Sequence, residues 1–130
     1  MQPTRTTARL TLLAITFFAS LALVAQATHA LDLTSAPLTG AGFACSAVNA
    51  SRSTLPITMD ILGTGGASLI GGPGTSTVPP RMTVSAGIGP VRTTQAYCTV
   101  SSPRAQKLEL KLGFCTTDAN GNCVAAVSAE

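Results

Sequence analysis

Apolar and polar residues alternate along this chain in short runs, and those runs predict strands. The clearest is residues 55–62 (LPITMDIL), where Leu55, Ile57, Met59 and Ile61 share one face. Pro56, Thr58, Asp60 and Leu62 take the other. A half-buried strand requires this period of two, because successive side chains point to opposite faces. Pro56 stands near the strand start, where a missing N–H is tolerated. Residues 81–88 repeat the pattern with Met82, Val84, Ala86 and Ile88. Residues 95–100 put Ala96, Cys98 and Val100 inward. Residues 107–114 put Leu108, Leu110, Leu112 and Phe114 inward and Lys107, Glu109 and Lys111 outward. Residues 43–48 and 123–127 are weaker strands, and an edge strand fits near residues 31–38. Residues 105–112 also hold good helix formers. Their leucines would sit on opposite sides of a helix, so the period favours a strand.

Turn chemistry separates these runs. Residues 63–74 (GTGGASLIGGPG), Val78-Pro79-Pro80, residues 87–90 and residues 101–103 read as turns and loops. The glycine-rich stretch is the expected mobile loop. Strands of this length, with turns every 8–12 residues or so, predict an all-β fold. The expected architecture is an antiparallel β-sandwich of about seven short strands.

The N-terminus departs from this pattern. Arg5 and Arg9 precede an uncharged apolar run at residues 10–25, and small residues follow at Ala25, Ala27, Thr28 and Ala30. Basic, apolar, then small is the order of a secretory signal peptide. Cleavage fits after Ala27 or after Ala30. The apolar run is shorter than the roughly 20 residues needed to span a bilayer. Residues 1–30 are therefore expected to be a helical signal peptide and residues 31–130 a single secreted or periplasmic domain. A domain of that size is marginally stable alone. All four cysteines, Cys45, Cys98, Cys115 and Cys123, lie in it. An even number in an exported chain points to two disulfides. Three pairings are possible. Strand alternation puts Cys45 and Cys98 on core-facing positions, while Cys115 and Cys123 flank a turn at Asp118-Ala119-Asn120-Gly121. The favoured pairing is 45–98 with 115–123. Asp at the first turn position and Gly at the fourth suit a type I turn with a Gly bulge.

Charge and chemistry narrow the function classes. The full chain carries +3, with eight basic and five acidic residues. Two of the eight, Arg5 and Arg9, lie in the signal, so six against five leave +1. A nearly neutral domain has no electrostatic footprint for nucleic acid or anionic membrane. No stable membrane insertion is expected after signal cleavage.

The only histidine, His29, falls in the signal or at its cleavage site. That removes Ser-His-Asp and Cys-His catalysis and blue-copper ligation, and makes a histidine zinc site implausible. Asp118-Ala-Asn120-Gly-Asn122 resembles the opening of a calcium loop. It has Cys123 where the Gly belongs and Ala129 where the bidentate Glu belongs, so a hairpin turn is the expectation. The glycine-rich loop has no GxxxxGK[ST] and no GxGxxG, and reads as a plain loop. Asp60 and Glu109 read as solvated strand-face carboxylates. Asn49-Ala50-Ser51 is a glycosylation sequon, meaningful only in a host that glycosylates. No catalytic, cofactor or metal residue is assigned, and no cofactor is expected.

The strings CSAVNAS, LPITMDIL, VPPRMTVSAG, AYCTV and LELKLGFC resemble small exported bacterial proteins built as single sandwiches, whose functions are uncharacterised. More loosely the domain is similar to immunoglobulin-like and fibronectin type III modules. It differs from antibody domains in having no Trp between its cysteines and Tyr97 directly before Cys98. The resemblance implies a scaffold and transfers no site residue. The expected function is a non-catalytic binding or structural accessory module, acting on an unknown protein or envelope component through loops or a sheet edge. The alternative is a small secreted enzyme or enzyme inhibitor using a polar site without a familiar motif. A third reading, a subunit of a larger assembly, would be marked by an unpaired long edge strand or an exposed apolar patch.

Overall fold

The computed structural model describes residues 30–129. Apart from Ala30, the expected signal peptide lies outside the described residues. The fold is all-β, and two antiparallel sheets pack face to face. Nine strands are described: β1 (Leu31–Thr34), β2 (Leu38–Gly40), β3 (Phe43–Asn49), β4 (Leu55–Gly63), β5 (Gly74–Val78), β6 (Thr83–Ile88), β7 (Thr94–Ser102), β8 (Leu110–Thr117) and β9 (Cys123–Ala129). Sheet A has the order β1-β7-β4-β5, with β2 also on β7. Sheet B has the order β6-β3-β8-β9.

The alternating pattern places the core. Leu55, Ile57, Met59 and Ile61 of β4 are buried, as are Ala96, Cys98 and Val100 of β7. They face Phe43, Cys45 and Ala47 of β3 and Leu110, Leu112 and Phe114 of β8. Phe43 and Phe114 stack on adjacent strands with ring centroids 5.7 Å apart. Each large apolar side chain fully buried here contributes about 1.5–3 kcal/mol. The Cys45–Cys98 disulfide joins β3 to β7 across this core, with Cα atoms 6.1 Å apart.

Several expectations change in position. The expected edge strand near residues 31–38 is two strands, because Pro37 breaks the ladder. Ser35 bridges the gap. Its N–H donates to the Cys98 carbonyl at 2.9 Å, and its Oγ accepts from the Cys98 N–H at 2.9 Å. No helix forms over residues 105–112, yet the strand begins only at Leu110. Leu108 is exposed, with φ of 74°, and the Glu109 N–H closes a turn onto the Gln106 carbonyl. Met82 is likewise exposed, following Arg81 at φ of 62°. A positive φ reverses the chain and ends the face that alternation predicts. Strand β5 lies where no strand is expected, since its sequence GTSTV is polar and exposed up to Val78, which alone is buried.

Candidate functional site

Sheet edges and outer faces are where a sandwich meets its surroundings. The glycine-rich loop is the first of these the sequence singles out. It is tied down rather than free. Leu69 and Ile70 pack on the core, and the Leu69 N–H donates to the Ile61 carbonyl at 2.8 Å. Asp60, expected to be solvated, is only 7% exposed. Its Oδ1 accepts from the Ser68 hydroxyl at 2.6 Å and from the Ile61 N–H at 2.8 Å. Ser68 Oγ in turn accepts from the N–H groups of Ile70 (3.3 Å) and Gly72 (2.8 Å). Asp60 is thus the anchor of the loop, a role its alternating strand position conceals.

The sequon residue Asn49 is also buried, with no exposed surface. Its Nδ2 donates to the carbonyls of Ser53 and Val78, both at 2.8 Å. Its Oδ1 accepts from the Ser51 N–H at 3.0 Å and the Ser51 hydroxyl at 2.7 Å. Every polar atom that glycosylation would need is engaged. Asn49 is a plug that binds the end of β3 to the end of β5.

Residues 118–122 form the expected hairpin turn. The Gly121 N–H donates to the Asp118 carbonyl at 3.0 Å, and Gly121 takes φ of 82°. Asp118 Oδ1 accepts from the N–H groups of Asn120 (2.8 Å) and Asn122 (2.9 Å), and Oδ2 from Asn122 Nδ2 at 3.2 Å. These bonds, the Asn122 N–H foremost, hold the carboxyl below its ordinary pKa. The carboxylate is spent on its own loop instead of being presented to a cation. Cys115 and Cys123 are joined, as favoured. They are diagonal across the pair, since Cys115 stands opposite Ala126 and Cys123 opposite Thr117.

That disulfide lies on the outer face of sheet B, where two successive rows of side chains are small. Ser85, Ser46, Gly113 and Ser128 make one row across all four strands. Gly87, Ala44, Cys115 and Ala126 make the next. Small side chains leave a shallow depression of about 590 Å³ over these rows. A second depression of about 570 Å³ adjoins it at the end of the sheet, beside the 118–121 turn. Neither row contains an ionisable side chain. No group of three or more His, Cys, Asp or Glu able to hold a metal occurs among the described residues.

The four sheet edges differ. The β1/β2 edge is broken by Pro37. The β5 edge is bracketed by Pro73 and Pro79, and the β6 edge by Pro80 and Pro90. Strand β9 has neither a proline nor a charged residue from Ala119 to Ala129. A one-residue register shift at Val124 follows the turn, and Ala125–Ala129 then pairs regularly with β8. Strand β9 packs on β8 and has no comparable packing with sheet A. It therefore overhangs the sandwich. Val124 is 66% exposed, and the core-side residues Val127 and Ala129 are only half-buried. An edge strand presents a row of unpaired N–H and C=O groups, a template for another strand. Sequence reading placed β9 as a weak strand and missed its overhang, which depends on how far sheet A extends. The absence of Pro and charge between Asp118 and Glu130 was the available signal of an unguarded edge.

Compared with protein-family models, with curated proteins and with solved structures, the chain matches none.

Proposed function

We propose that this protein is a secreted or periplasmic accessory module, non-catalytic, that binds by strand addition at the β9 edge of sheet B. The observation that carries the reading is the unguarded edge. Prolines interrupt one of the four edges and flank two others, and β9 has none. Main-chain hydrogen bonds would supply affinity. The two disulfides fit an oxidising, extracytoplasmic compartment. Any kinship with immunoglobulin-like or fibronectin type III modules rests on strand patterning and the inter-sheet disulfide.

A photo-reactive residue at Val124, compared with the same residue at Thr77 on β5, tests the reading in cells exporting the full chain. Both positions are exposed. Adducts from position 124 and not from position 77 are the expected result. Adducts from position 77 alone, or from neither, contradict it.

A further inference from the structure

We infer that the strand added at β9 is the β9 of a second copy of this chain, so that two sheets B join into one continuous eight-stranded sheet. The inference rests on the strand-addition reading and names its occupant.

The overhang is complementary to itself. Antiparallel neighbours in a sheet place their paired side chains on the same face. A two-fold axis normal to sheet B therefore pairs residues whose numbers sum to an even value. An axis through Val127 uses the whole regular segment Ala125–Ala129. It sets Val127 against Val127 of the other copy and Ala125 against Ala129. These three residues point to the core side, as the pairing of Val127 with the buried Phe114 shows. Ala125 is exposed and Val127 and Ala129 are only half-buried against the core, so each copy leaves a narrow apolar strip that the other copy's strip would cover. On the outer face the same axis sets Ala126 against Ser128, extending the small-residue rows without a clash. Such an interface is isologous, and one patch serves both partners.

Electrostatics favour this occupant over a charged peptide. Strand β9 is uncharged, so self-pairing brings no like charges together and a charged partner finds no counter-charge in it. Residues 31–130 carry a net +1, which sets up little long-range repulsion between copies.

The experiment is sedimentation equilibrium of the exported full chain from micromolar to millimolar concentration, with two double variants. Ala126 and Ser128 are both exposed, so neither variant disturbs the core. A126K/S128K puts lysine opposite lysine twice across the axis. A126K/S128E puts lysine opposite glutamate twice. Expected are a dimer for the natural chain, association weakened about tenfold or more by A126K/S128K, and recovery by A126K/S128E. Thermal unfolding of each variant at a dilution where all are monomeric is expected to match the natural chain. Equal weakening by both variants overturns the register and with it the proposal. A natural chain that stays monomeric overturns the second copy. In that case adducts of position 124 with another envelope component would leave the strand-addition reading standing. No adduct at all would remove both.

Discussion

The Cys45–Cys98 disulfide joins β3 and β7, each of which is paired on both sides, whereas Cys115–Cys123 ties down β9, which is paired on one side only. Cys45 and Cys98 are at most 1% exposed, while Cys123 is open to solvent. One bond sits among Phe43, Ile61 and Phe114, where burial already holds the strands. The other sits where burial gives little and the turn at 118–122 must do the holding. The domain thus has a rigid, doubly held centre and a lightly held, unguarded margin. Binding by strand addition belongs at such a margin, because the strand added there displaces nothing.

The comparison can be broken most severely at its centre. Replacing Cys45 and Cys98 together by alanine removes a cross-link spanning 53 residues. The expected loss is about 4 kcal/mol in the chain-entropy model, a large share of the stability of a domain this small. Removing Cys115 and Cys123, separated by eight residues, is expected to cost about 2.5 kcal/mol or less. Denaturant unfolding measures both. A larger loss for the second pair would reverse the contrast. A dithiol reductant is expected to open Cys115–Cys123 first, since Cys123 is accessible to the attacking thiolate and Cys45 and Cys98 are not. Mass spectrometry after quenched alkylation reads the order.

Asn49→Ala comes next. It leaves the Val78 carbonyl and the Ser51 N–H without their side-chain partners in a buried site. About 2–3 kcal/mol of stability is expected to go, although the variant changes no apolar contact of the strand faces. A loss within a few tenths would mean that water replaces the amide.

The smallest effect concerns pH at the margin. The Asp118 carboxyl titrates below its ordinary value of 3.8 because loop amides stabilise its charged form. A depressed pKa supports the folded turn at pH above the ordinary value. That support fades as pH falls through the lowered pKa. Amide resonances of Asn120 and Asn122 are expected to move with a midpoint under 3.8. A midpoint at or above it contradicts the hydrogen bonding described.

Much of the centre was legible in the sequence. Alternation marked the inward residues of β4 and β7, and the same alternation chose the disulfide pairing. The signals failed where the cause was not local. Met82 and Leu108 look inward by spacing, but Arg81 and Leu108 adopt positive φ and delay the start of their strands. Asp60 and Asn49 look solvated by type, and are buried by a loop and a strand that come later in the chain. Strand β5 is polar and forms because β4 offers it an edge. The overhang of β9 was invisible for the same reason, being set by sheet A and not by residues 123–129.

The unguarded edge is tested most directly by residue-resolved amide hydrogen exchange on the natural chain at a dilution where it is monomeric. The account predicts that every second amide of Ala125–Ala129, those turned away from β8, exchanges nearly as fast as in an unfolded peptide. Amides of β3 and β7 should exchange slowly throughout. Uniform protection along β9, equal to that of β3, would show that the edge is already covered and would contradict the account.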